Sequence, residues 1–104
     1  MVDMPDNQYF RDASQRLTFE MFELPADSYR AVCGEIVDGF GLVPDNELVN
    51  GWDVVFQDYR QGEQIVGLEW DNWSGFIVVA KTPSSEPLVQ EIGAWLLQSK
   101  WAAK

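Results

Sequence analysis

Histidine is absent from this 104-residue chain, and cysteine occurs once. Without an imidazole there is no Ser-His-Asp or Cys-His arrangement for nucleophilic catalysis at neutral pH, and no histidine ligand for zinc or haem. The lone Cys33 has no partner for an internal disulfide, which fits a reducing, cytoplasmic setting. Cations are scarce too: 7 basic residues face 17 acidic ones, for a formal net charge of −10. Those seven are scattered (Arg11, Arg16, Arg30, Arg60, Lys81, Lys100, Lys104) and form no stripe. Nucleic-acid binding, which draws its affinity from clustered Lys and Arg, is therefore not expected, and an anionic membrane surface is repelled. The longest aliphatic run is Ile77-Val78-Val79-Ala80, following Phe76 and far short of a membrane span. The acidic opening residues 1–6 lack the basic and apolar parts of a signal peptide. Gly39 and Gly41 follow a helical pattern, whereas a phosphate-cradling loop precedes one. Residues 71–75 have calcium-ligand types without the spacing of a calcium loop. No metal or cofactor is expected.

What is present suffices for one globular domain. The chain is 46% hydrophobic and 13% aromatic, enough for a core that needs neither disulfide nor metal. Residues 1–15 are polar apart from Tyr9-Phe10 and are expected to form a mobile arm, leaving 16–104 as the domain. Leu17, Phe19 and Met21 alternate with Thr18 and Glu20, the pattern of a half-buried strand, and Pro25 follows. Tyr29, Val32, Cys33, Ile36, Val37 and Phe40 recur at helical spacing, with Asp27 or Ser28 as cap and Gly39 and Gly41 ending the helix. On that stripe Cys33 is a buried, inert thiol rather than a nucleophile. Strands are expected over 52–60, 64–70 and 76–81, joined by short turns that allow only an antiparallel meander. A second helix starts near Pro87 and buries Leu88, Val89, Ile92, Trp95 and Leu96. The stretch 42–50 has no assignable pattern. The expected fold is α+β, in the order β-α-β-β-β-α, with both helices on one face of the sheet.

Parity within the meander assigns the two faces. Trp52, Val54 and Phe56, with Val66, Leu68 and Trp70 and then Phe76, Val78 and Ala80, are expected beneath the helices. The opposite face then carries Asp53, Val55, Gln57, Tyr59, Ile65, Gly67, Glu69, Ile77, Val79 and Lys81. That set is more apolar than a solvated sheet face usually is, so a cover is expected: the arm, a second copy of the chain, or a ligand. Val55, Tyr59, Ile65, Ile77 and Val79 are the candidate interface of a homodimer.

Residues 67–75 stand out as a candidate binding site, because Trp70 and Trp73 lie among Glu69 and Asp71. Flat π faces beside negative charge suit a cation, or a sugar stacked on an indole. Glu69, Asp71, Trp73, Tyr59 and Asp53 are the candidate partner-binding residues; Trp70, Trp52 and Trp95 are expected in the core, with Trp101 a docking contact. In being small, acidic and tryptophan-rich, the chain resembles bacterial toxin-immunity proteins and the small proteins of mobile integron cassettes. The resemblance is one of size and charge and transfers no site residue. The expected function is non-enzymatic: an acidic surface that takes a basic protein or a cationic ligand, in an immunity-like or cassette-accessory role. The alternatives are a small-molecule binder with a Trp- and Tyr-lined pocket and, least favoured, a hydrolase built on paired carboxylates such as Glu69 and Asp71.

Overall fold

The computed structural model describes residues 8–102. Seven strands form one antiparallel sheet: β1 (Tyr9–Arg11), β2 (Leu17–Met21), β3 (Val43–Pro44), β4 (Val49–Asn50), β5 (Val54–Gln61), β6 (Gln64–Asp71) and β7 (Gly75–Ala80). Two helices, α1 (Tyr29–Phe40) and α2 (Glu86–Leu97), pack on one face. The spatial order is β1-β2-β7-β6-β5-β3, with β4 also paired to β5. This is the α+β fold expected from the sequence, with three short strands added.

Each addition has a physical reason. Tyr9–Arg11, part of the presumed arm, pairs with β2, setting Tyr9 opposite Phe19. The Tyr9 ring packs 5.1 Å from that of Phe19, and Arg11 pairs with Glu86 on α2. Residues 1–7 of the arm lie outside the described residues. The patternless 42–50 holds β3 and β4, two residues each, which fasten to successive parts of β5. Two residues are too few to show a period.

Both helices form where their apolar stripes predict. Tyr29, Val32, Cys33 and Ile36 are buried on α1; Leu88, Val89, Ile92 and Leu96 are buried on α2. Gly41, in the left-handed region at φ 67°, ends α1. Ser28 makes no side-chain capping bond; a 3-10 turn over Ala26–Ser28 leads into the helix instead. The Tyr29 hydroxyl donates to the Leu68 carbonyl and pins α1 to the central strand β6. Phe19, Val66, Leu68, Phe76 and Val78, all fully buried, fill the space between sheet and helices.

The ladder corrects one parity. Residues directly opposite in an antiparallel pair share a face, and Val55, Gln57 and Tyr59 stand opposite Trp70, Leu68 and Val66. Val55 and Tyr59 therefore lie on the helix side, not on the opposite face expected of interface residues. Val54, Phe56, Asp58 and Arg60 occupy the uncovered face, beside Ile65, Gly67, Glu69 and Asp71. Trp52 leaves the core altogether: it is 99% exposed and precedes the strand. The alternation along 52–59 is apolar on both faces, so parity alone could not assign them.

Candidate functional site

At one end of the sheet two hairpin tips lie side by side. Asn50 pairs with Val55, and the Gly51 N–H donates to the Val54 carbonyl at 2.8 Å, which leaves Trp52 and Asp53 at the tip of the β4–β5 hairpin. On the neighbouring hairpin Asp71 pairs with Gly75, and Asn72, Trp73 and Ser74 form the tip. Because Val54 stands opposite Asp71, the two tips project from adjacent strands. Trp73 is 74% exposed. A third aromatic, Phe22 (68% exposed), follows β2 at the same end; a methyl group at Gly75 would lie 2.5 Å from its carbonyl oxygen.

The tips are held by their own polar groups. Asp71 Oδ1 accepts from the backbone N–H of Trp73 at 2.8 Å and of Ser74 at 2.7 Å, the local bonding that makes aspartate a turn former. Asp71 thus fixes the Trp73 loop while its charge stays at the rim. The tip residues 51–53 and 72–74, with the flanking Asp71 and with Phe22 and Glu23 after β2, carry the carboxylates of Asp53, Asp71 and Glu23 and no Lys or Arg. Lys100, which shares a cavity of about 660 Å³ with Phe22 and Glu23, is paired with Glu35 at 3.4 Å.

Of the residues singled out in the sequence, the structure brings Asp53, Asp71 and Trp73 together at this rim. Glu69 lies further in on the uncovered face, opposite Phe56 and Ile77. There Lys81 Nζ sits 3.1 Å from Glu69 Oε2 and 3.5 Å from Asp58 Oδ1. Tyr59 is elsewhere, buried on the helix side with its hydroxyl on Gln57 Oε1 at 2.8 Å. The other tryptophans are structural. Trp70 Nε1 donates to the Leu24 carbonyl at 2.8 Å, Trp95 packs edge-on to Phe40, and Trp101 Nε1 donates to Glu35 Oε1 at 3.0 Å. That last bond, with Lys100 alongside, holds the Glu35 carboxyl below its ordinary range.

Trp52 and Phe22 are the rim residues that sequence reasoning missed. Asn50-Gly51 ahead of Trp52-Asp53 is a turn signal that could have moved Trp52 from strand to tip. Phe22 continues the parity of Thr18 and Glu20, the face away from the helices, so its exposure was readable from β2.

Cys33 is buried, as its stripe implies, and burial pushes its thiol up to about 12; the Tyr29 and Tyr59 hydroxyls are raised by burial as well. The thiol is therefore protonated at neutral pH and a poor nucleophile. Among the described residues no three Cys, Asp or Glu side chains converge as a metal site, and no helix is long and apolar enough to cross a membrane. No family model, curated protein or solved structure matches the chain.

Proposed function

We propose that this chain is a non-catalytic binding protein that captures a basic partner on the rim formed by Trp52, Trp73 and Phe22. One observation carries this reading: two adjacent hairpin tips each hold an exposed indole beside a carboxylate, Trp52 with Asp53 and Trp73 with Asp71, and neither tip holds a cation. Covering an indole of roughly 200 Å² at about 25 cal/mol per Å² is worth about 5 kcal/mol before association costs. Tryptophan is the residue most often found where binding energy concentrates. Indole faces attract guanidinium and ammonium groups, and the carboxylates around them add attraction and steering. A basic protein toxin, met in a reducing cytoplasm, is the immunity-like setting this chemistry suits; a cationic small molecule would use the same groups.

Calorimetric titration with a twelve-residue peptide of alternating Arg and Gly tests the reading. Binding should weaken as salt rises, and the Trp52→Ala/Trp73→Ala double variant should bind at least about tenfold more weakly, the effect of losing about 1.4 kcal/mol. Undiminished binding by the double variant would overturn it.

A second reading concerns the uncovered sheet face as the interface of a homodimer. Phe56, Ile65 and Ile77 are half-buried there and Phe10, on β1, is 40% exposed. Val79, also on that face, is already buried within the protomer at 3% exposure. Lys81, held between Asp58 and Glu69, reduces the repulsion that would arise when two copies bring these carboxylates together. Light scattering on sized fractions decides: a mass near twice 11.9 kDa supports the dimer, and a mass near 11.9 kDa contradicts it.

A further inference from the structure

On the helix side, away from the rim, α1 leaves a cleft beside β5 of about 300 Å³, at the lower end of the size range of small-molecule sites. Tyr29 and Cys33 of α1 form one wall and Tyr59 of β5 another, with Pro44 and Leu48 of the β3–β4 segment as the lip. The polar atoms of these walls are already engaged. The Tyr29 hydroxyl is bonded to Leu68, the Tyr59 hydroxyl to Gln57, and Gln57 Nε2 donates to the Asn46 carbonyl at 2.7 Å. What the cleft offers a ligand is ring faces, methyl groups and a protonated thiol.

Its mouth has the opposite character. Arg30, in the first turn of α1, lines the cleft and makes no ion pair. Every other cation among the described residues has a carboxylate partner: Arg11 has Glu86, Arg16 has Asp12, Arg60 has Asp45, Lys81 has Asp58 and Glu69, and Lys100 has Glu35. In a chain with 17 acidic residues, one guanidinium left open beside an aromatic cleft is the exception. Asp38 also borders the cleft, two turns on from Arg30 and about 12 Å further along the α1 axis, and it makes no ion pair with Arg30.

We infer that this cleft binds a small aromatic carboxylate, with the ring between Tyr29, Cys33 and Tyr59 and the carboxylate on Arg30. The apolar walls supply most of the affinity and the guanidinium supplies the choice of an acid over a neutral analogue. This site shares no residue with the rim, so its test is independent of the basic-partner reading.

Nitrogen-correlated NMR spectra titrated with 1-naphthoate, and in parallel with neutral 1-naphthalenemethanol, test it. Both compounds should move the amide signals of α1, Gln57 and Tyr59, with the acid binding about fivefold more tightly or better, as one charge-assisted contact at a solvated mouth supplies. Arg30→Gln should abolish that preference while leaving the alcohol's affinity unchanged. Gly34→Leu should block both ligands by filling the cleft. A methyl group at Gly34 meets nothing within 4 Å and leucine favours helix, so this variant should fold. Equal affinity for acid and alcohol, a preference that survives Arg30→Gln, or no signal change at α1 would each overturn the assignment.

Discussion

Lys81 reaches Glu69 directly above Gly67: its Nζ lies 3.1 Å from Glu69 Oε2, and a methyl group at Gly67 would meet Lys81 Cε at 2.6 Å and that same oxygen at 2.7 Å. The bare backbone of β6 is what lets the lysine cross the sheet between two carboxylates. Gly67→Ala should therefore destabilise the fold by about 1–2 kcal/mol, the usual cost of inserting a methyl group into filled space. The cost should shrink in a Lys81→Ala background, where the obstructing chain is gone. Urea midpoints for the two single variants and the double variant measure this coupling; additive losses would show that Lys81 and Gly67 are independent.

The indoles divide by exposure. Trp52→Ala and Trp73→Ala should each change stability by less than about 0.5 kcal/mol, as is usual for surface positions. Trp70→Ala, which removes a half-buried ring and its bond to the Leu24 carbonyl, should cost about 2 kcal/mol or more. Chemical denaturation of the three variants checks the division, and a large loss at Trp73 would remove it from the binding rim.

Alkaline pH should unfold the protein through Cys33. Burial raises its thiol from 9.0 to about 12, so the folded chain holds this proton more tightly than the unfolded one. The thiol's contribution to stability is then complete below the ordinary thiol value and is lost as pH rises towards 12, at up to roughly 1.4 kcal/mol per pH unit. Tyr29, also raised by burial, adds to the fall above its own ordinary value of 10.0. Melting temperatures across this range should fall more steeply for the wild type than for Cys33→Ala; parallel curves would show that the thiol is not the group responsible. In the native protein at pH 8 a thiol reagent should label Cys33 slowly, and quickly once urea unfolds the chain.

The sequence made some of this legible and hid the rest for identifiable reasons. α1 and α2 were readable because each has one apolar stripe and one polar face. The parity of β6 was readable because Val66, Leu68 and Trp70 alternate with Gly67 and Glu69. The parity of β5 was not, because Val54 and Phe56 compete with Val55 and Tyr59, and only pairing to β6 decides between them. The acidic aromatic loop at 69–75 was visible as a cluster. Its second half at Trp52-Asp53 carried only the Asn50-Gly51 turn signal, because the strand that completes that hairpin, β4, has two residues and no pattern of its own. Arg30 could not be singled out in advance, since its lack of a carboxylate partner is a property of the folded surface.

The indole N–H signals of the five tryptophans offer the most direct test of the binding rim. On titration with the alternating Arg-Gly peptide at low salt, the signals of Trp52 and Trp73 should move together and saturate at one common affinity. Those of Trp70 and Trp101, whose Nε1 groups are bonded to Leu24 and Glu35, should stay in place. Movement of Trp52 and Trp73 that reverses with added salt is the result predicted here. Stationary signals from both at saturating peptide, or shifts centred on Trp101 instead, would contradict the account.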